Sequence, residues 1–258
     1  MKPILIKIGG SLTVHEESLK TFCQAIAELH QKGTPIILVH GGGKDINANL
    51  KLLEEAPAFV DGLRVTDGKV LDMVEMTLSG HVNKKLVRLI QNYGVQAVGI
   101  SGCDAKTIMA EKKQTNVDLG FVGVPVASNP HLIELLVNSN YIPIVSPISA
   151  DEYGQTYNIN ADEAASAIAV SLQVEKLLFI SDVPGVMQNG QVLPSLNKTQ
   201  IQELIKNEVI VGGMIPKVNS CLAGLEQGIG EVHILGWNSK EQFINHLTHG
   251  TINGTIIS

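Results

Sequence analysis

The sequence predicts an α/β protein, a mainly parallel sheet sandwiched between helices. Three observations carry this. Apolar runs such as Ile4-Leu5-Ile6 and Ile36-Ile37-Leu38-Val39 are continuous rather than alternating, as strands buried on both faces are. A glycine-rich turn and then helical apolar spacing follow each of these two runs. The Gly, Asp and Ser clusters fall after the strands, where open α/β sheets keep their ligand crevices.

Taken in order, Ile4–Lys7 reads as a buried strand. Leu19, Phe22, Cys23, Ile26 and Leu29 place a helix over 16–30, closed by Gly33 and Pro35. Ile36–Val39 completes a βαβ unit with a right-handed connection. A helix over 45–53 and an irregular stretch through Asp67 follow. Val70, Val74, Leu78, Val82, Leu86 and Leu89 mark a long apolar helix to Gln91. Strands are expected at 95–100 and 141–145, with a hairpin over 107–126 and a helix over 132–137 between them. The second half brings a small-residue helix over 161–172, a strand over 176–180 and a helix over 199–206. A helix over 214–225, a strand over 231–235, a helix over 240–247 and a final strand over 254–257 complete the chain.

With 258 residues the chain can bury a large core, as one α/β domain or two intimate lobes. Hydrophobic content of 44% and charged content of 17% are those of an ordinary globular protein. A net charge of −6 argues against a nucleic-acid partner but leaves anionic small substrates open. No apolar run approaches the ~20 residues of a membrane helix. Lys7 and the glycines cut the first apolar segment short of a secretory signal. Cys23, Cys103 and Cys221 are scattered, without metal spacing, and read as reduced thiols of a cytoplasmic protein.

Three glycine turns carry the chemistry: Gly9-Gly10-Ser11, Gly41-Gly42-Gly43 and Gly212-Gly213. Any one could be only a tight turn. Together they suggest anionic groups held by backbone N–H donors at helix starts. Neither G-x-x-x-x-G-K-[ST] nor G-x-G-x-x-G is present, which counts against a P-loop enzyme and a dinucleotide dehydrogenase. Lys7 ends a buried strand, where lysine is costly unless paired. Lys217 lies at a helix start, the wrong end of the dipole for a cation. Both placements become sensible beside phosphate oxygens; otherwise both are snorkelling surface lysines. Asp162 is either a favourable first-turn carboxylate or the organiser of nearby lysines. Arg64 is either a surface ion pair or a fork for a substrate carboxylate. His40 reads as structural, positioning its loop by a hydrogen bond. No nucleophile triad and no metal cluster stands out.

Six segments now occur in a telling order: Lys7-x-Gly9-Gly10-Ser11, His40-Gly41-Gly42-Gly43, Gly62-Leu63-Arg64-Val65-Thr66, Asn158-x-Asn160-Ala161-Asp162, Ser181-Asp182-Val183-Pro184-Gly185-Val186 and Gly212-Gly213-Met214-x-x-Lys217. From end to end the chain resembles the amino acid kinase family, and within it the branch that phosphorylates N-acetyl-L-glutamate. The resemblance implies a three-layer α/β/α sandwich with a roughly eight-stranded sheet. It implies transfer of the ATP γ-phosphoryl group, with Mg²⁺, to the side-chain carboxylate of N-acetyl-L-glutamate, the second step of arginine biosynthesis. Residues 1–172 would form the lobe for the acetylated amino acid, and residues 173–258 the ATP lobe of one continuous sheet. Lys7 and Lys217 match the lysines that stabilise the transferring phosphoryl, and Asp162 the carboxylate that holds them. Gly42, Gly43, Arg64 and Asn158 match the substrate grip. Gly10, Ser11, Ser181, Asp182, Val183, Pro184, Gly185, Val186, Val211, Gly212 and Gly213 match the nucleotide loops. No protein metal ligand is implied.

Lys44, Phe59 and Cys103 depart from the pattern, at positions that could retune the substrate. Arginine-inhibited members carry an extra N-terminal helix, for which the six residues before Lys7 leave no room. A homodimer without arginine inhibition is therefore expected, with the helix after Val70 as its surface. A sister kinase acting on an aminoadipate derivative in lysine biosynthesis would share the lysines and glycine turns. A non-catalytic metabolite sensor would not need both lysines and Asp162.

Overall fold

The structure is a computed structural model that describes residues 2–9, 12–13, 15–212, 214–250 and 253–258. The chain opens with β1 (Ile4–Ile8), α1 (Glu16–Gln31), β2 (Ile36–His40) and α2 (Gly43–Leu52). A small hairpin of β3 (Phe59–Val60) and β4 (Leu63–Arg64) precedes α3 (Gly68–Glu75), a π-helical segment Met76–Val82 and α4 (Asn83–Gln91). Next come β5 (Ala97–Ser101), β6 (Ile108–Lys112), β7 (Val122–Ser128), α5 (His131–Asn138), β8 (Ile142–Ser146), β9 (Ile148–Ala150) and β10 (Thr156–Ile159). The last third is α6 (Ala161–Leu172), β11 (Lys176–Ser181), β12 (Met187–Gln188), β13 (Gln191–Val192), β14 (Ser195–Leu196), α7 (Lys198–Lys206), α8 (Met214–Glu226), β15 (Glu231–Gly236), α9 (Lys240–Thr248) and β16 (Thr255–Ile257).

Eight strands form the central sheet in the order β14-β16-β15-β11-β1-β2-β8-β5. All its pairings are parallel except β15 with β16. The three-layer sandwich expected from the sequence is thus the fold. β1 sits in the middle, where the chain order changes direction, and such switch points open a crevice beyond the carboxyl ends of the strands. β6, β7, β9 and β10 form a second sheet that closes on itself beside the first.

Each face of the central sheet has its own core. Ile4, Ile6 and Ile8 of β1 join Leu19, Phe22, Ile26 and Leu29 of α1 on one face. Leu5 joins Ile37, Val39, Phe179 and Ala164, Ala165, Ile168 and Ala169 of α6 on the other. Side chains alternate along a strand, so Lys7 shares the Leu5 face and looks toward α6. That alternation, fixed by the apolar residues around it, is what puts a lysine where helices start.

The helix expected from Val70 to Gln91 is present, but not as a uniform α-helix. Val74, Leu78, Val82, Leu86 and Ile90 are all buried and recur every four residues. In a straight α-helix such a stripe drifts by about 40° per turn. The wider turn over Met76–Val82 corrects the drift and keeps the stripe on the core.

A buried histidine pair links β15 to α9. His233 Nδ1 lies 2.7 Å from His246 Nε2, and His233 Nε2 lies 3.0 Å from Glu231. Burial pushes the imidazoles of His233 and His40 down to about 4. An unfolded histidine titrates near ~6.5. Groups held neutral in the fold stabilise it fully above that value, and the contribution disappears as pH falls through the folded value. Tm without ligand is therefore expected to fall between about pH 7 and pH 5, above the window in which carboxylates titrate. A Tm that stays level over that range in a circular-dichroism melt would contradict this.

Candidate active site

The carboxyl end of β1 meets the first turns of α6 and α8, and three charged side chains converge there. Asp162, the second residue of α6, receives Lys7 Nζ on one oxygen at 2.8 Å and Lys217 Nζ on the other at 2.6 Å. The side chains are 13%, 14% and 19% exposed for Lys7, Lys217 and Asp162. Burial works to raise the Asp162 carboxyl, and the two ammonium groups outweigh it, so the net shift is downward. Lys217 Nζ also stands 5.1 Å over the ring of Phe179, the register partner of Lys7. The side chain of Asn160 accepts from the Asp162 N–H at 2.8 Å and so caps the helix that presents the carboxylate. A carboxylate gripped on both oxygens fixes two cations at one place. Such an arrangement suits a polyanion arriving from solvent.

On one side of this triad lies a cavity of about 180 Å³. Gly41, Gly42 and Gly43, Arg64, Asn158, Asn160 and Ala161 are among its lining residues, so it runs up to the residue before Asp162. All four residues expected to grip the substrate line it. Arg64 is only 7% exposed. Its Nη2 donates to Asn47 Oδ1 at 2.6 Å and to the Gly43 carbonyl at 3.2 Å, and its guanidinium lies 4.8 Å over the Phe59 ring. Its Nη1 is buried with no hydrogen-bond partner among the described residues. Burial lowers the Arg64 pKa, and an orphaned guanidinium donor is costly unless an acceptor completes it. Asn158 Nδ2 donates to Thr66 Oγ1 at 3.1 Å, and Thr66 donates to the Arg64 carbonyl at 2.9 Å. Thr66 thereby ties the two polar walls together.

On the other side, the carboxyl ends of β11 and β15 border a cavity of about 290 Å³ lined by Leu12, Ser181, Asp182, Pro184, Gly236 and Trp237, among others. Val183 is exposed beside it. Val186 is packed in the core, and its N–H donates to Thr255 Oγ1 at 2.8 Å, which anchors the loop that Gly185 completes. Val211 and Gly212 are exposed at the entry to α8. Gly10, Ser11 and Gly213 lie outside the described residues. Gly9 is described, and its place admits no side chain: a Cβ there would sit 2.5 Å from the Ile180 carbonyl oxygen. A wider groove of about 470 Å³ between α6, α8 and β7 has Glu163 as its only charged lining residue among the described residues, which does not suit a phosphate.

Three supporting residues, among them Asn83 at the start of α4, are not singled out by the sequence as site residues. Asn47, Thr66 and Asn83 are ordinary polar residues within helical or loop sequence, and only tertiary structure shows them holding Arg64, Asn158 and His40. Thr66 alone carried a signal, as the last residue of Gly62-Leu63-Arg64-Val65-Thr66.

Known proteins share this architecture. Residues 2–236 match the model of the amino acid kinase family. An acetylglutamate kinase of Geobacillus sp. (strain WCH70) is 42% identical over 256 residues, covering 99% of this chain and 96% of its own. The crystal structure of smu.665 from Streptococcus mutans UA159 superposes with a TM-score of 0.83 at 30% identity, over 99% of this chain and 98% of its own. Carbamate kinase from Giardia lamblia bound to AMP-PNP shares the fold at a TM-score of 0.73 and 17% identity, covering 99% of this chain and 98% of its own. With a switch-point crevice built on the strand that carries Lys7, and sequence relatives along its whole length, this chain belongs to the amino acid kinase family.

Proposed function

We propose that the chain transfers the γ-phosphoryl group of ATP to the side-chain carboxylate of N-acetyl-L-glutamate, giving N-acetyl-L-glutamyl 5-phosphate in arginine biosynthesis. The observation that carries this reading is the Lys7–Asp162–Lys217 triad beside the cavity that Arg64 and Asn158 line. The attacking carboxylate has an ordinary pKa near ~4.3 and is ionised at neutral pH, so it needs no general base. What it needs is relief from repulsion as one anion approaches another. One carboxylate oxygen forms a bond to the γ-phosphorus while the bond to the β–γ bridging oxygen breaks, and ADP leaves with that electron pair. Lys7 and Lys217 stand where charge on the equatorial oxygens is met, and positioning supplies the rest.

Residues 1–172 hold the acid in this reading, and residues 173–258 hold the nucleotide, with Ser181–Val186, Val211 and Gly212 around it. The backbone of Gly42 and Gly43 and the polar ends of Arg64 and Asn158 grip the acetylated amino acid. No group of three or more metal-ligating side chains occurs among the described residues. In this reading Mg²⁺ would be carried by the phosphate oxygens of ATP, its usual mode of binding, and would offset their charge. The protein works in the cytoplasm as a homodimer that pairs along the helix after Val70, where Met76 is 59% exposed.

ADP release, with the acyl phosphate trapped by hydroxylamine, tests the reaction. Acetylglutamate is expected to drive turnover and N-acetylaminoadipate to drive far less. The reverse preference, or ADP release that ignores the acceptor, would contradict it. Arg64→Lys removes Nη1 and the planar fork, and is expected to raise KM for acetylglutamate by roughly 10- to 100-fold with ATP KM little changed. Initial-rate kinetics over both substrates check this.

A further inference from the structure

The loop 41–43 can only offer backbone donors if its peptide planes face the right way, and the core beneath it sets how they face. His40 is fully buried at the end of β2. Its Nδ1 lies 2.9 Å from the Gly41 carbonyl oxygen and its Nε2 lies 3.1 Å from Asn83 Nδ2. Asn83, also fully buried, opens α4 directly after the π-helical segment.

The Asn83 amide is fixed from both sides. Nδ2 donates to the Ile144 carbonyl at 2.9 Å and reaches the Ile100 carbonyl at 3.3 Å. Oδ1 accepts from Lys84 Nζ at 3.0 Å, and that ammonium also donates to the Gly99 carbonyl at 2.7 Å. Turned over, the amide would set its oxygen against two carbonyls and its NH₂ against an ammonium. Asn83 therefore presents a donor to His40, and Nε2 is the acceptor. The ring proton sits on Nδ1, where it donates to the Gly41 oxygen. That oxygen and the Gly42 N–H belong to one trans peptide, in which the two point in opposite directions. A carbonyl drawn down to His40 turns the Gly42 N–H outward, to the cavity that Gly42 lines with Arg64 and Asn158. β5 accommodates the arrangement with Gly99, where a Cβ would overlap the Asn83 side-chain oxygen.

We infer that Asn83 and His40 are positioning residues: they brace the Gly41–Gly42 peptide so that its N–H addresses the anionic acyl-amino acid. This rests on the acceptor proposed above. The two halves of the histidine separate in two variants. In His40→Asn an amide nitrogen replaces Nδ1 and the bond to Gly41 survives. In His40→Gln the polar end reaches only the Nε2 position and that bond is lost. His40→Gln is expected to raise KM for acetylglutamate about tenfold while KM for ATP stays within about twofold, and His40→Asn to stay within about threefold of the parent for both. Asn83→Ala is expected to follow His40→Gln. The opposite ranking, or equal changes for both substrates, would overturn the brace. Should the variants not fold, ¹⁵N NMR of the histidine-labelled parent protein decides it: the His40 signals must be those of the Nδ1–H tautomer, and an Nε2–H tautomer would overturn it. Turnover of acetylglutamate by the parent protein tests the acceptor separately, since the tautomer does not depend on it.

Discussion

Lys217→Ala is expected to lower kcat by about 10²–10³ or more while leaving KM for acetylglutamate close to its original value. The split follows from where Lys217 stands. It lies on α8 and pairs with Asp162, and it does not line the cavity of Arg64 and Asn158. Its charge matters most when the γ-phosphoryl is between donor and acceptor, with negative charge spread over its equatorial oxygens. A donor placed for that moment and not for the ground state acts on kcat. Lys7→Ala should behave alike, because the same carboxylate holds Lys7 from β1. Steady-state rates near the original for Lys217→Ala would remove it from the mechanism.

The second large effect is expected from Asp162→Asn. Two ammonium groups would then share a largely buried place with no anion between them. Removing one partner of a buried pair commonly costs about 3–5 kcal/mol of stability. The free enzyme should therefore melt well below the original. ATP brings the missing negative charge, so its stabilising effect in a thermal-shift assay should be larger for Asp162→Asn than for the original protein. Turnover should still fall, since the lysines lose the anchor that aims them. A variant as stable as the original without nucleotide, or one that ATP stabilises less, would contradict this role. A simple pH effect points the same way. Asp162 titrates below the ordinary carboxyl range, so its contribution is complete above that range and is lost as pH falls through the depressed value.

Much of this was legible in the sequence because local and global preferences agree. The runs Ile4-Leu5-Ile6 and Ile36-Ile37-Leu38-Val39 are continuous apolar stretches, α1 is closed by Gly33 and Pro35, and these features specify a βαβ unit from local sequence. Lys7 and Lys217 stood out for a different reason, while Asp162, favourable in a first turn, was marked by its motif. A lysine inside a strand and another at a helix start are locally unfavourable, and such conflicts mark sites. Their meeting at 2.6–2.8 Å depends on three distant segments, which no spacing reveals. The hairpin of β3 and β4 falls in a stretch whose sequence reads as irregular, since two-residue strands carry no periodicity. The π-helical segment was visible only as a run of apolar residues four apart, which reads equally as a helix of ordinary pitch. Asn83 was silent because an asparagine beside an apolar stripe looks like solvent-facing surface. It lies in the core beneath His40, on the face of α4 that it shares with Leu86 and Ile90.

The most direct measurement is a crystal structure of the protein with ADP, Mg²⁺, aluminium fluoride and N-acetyl-L-glutamate. The fluoroaluminate should lie between the nucleotide and the side-chain carboxylate, with Nζ of Lys7 and of Lys217 each about 3 Å from a fluoride. Either amino group turned away from the fluoroaluminate, or acetylglutamate bound outside the cavity of Arg64 and Asn158, would contradict the transfer mechanism proposed here.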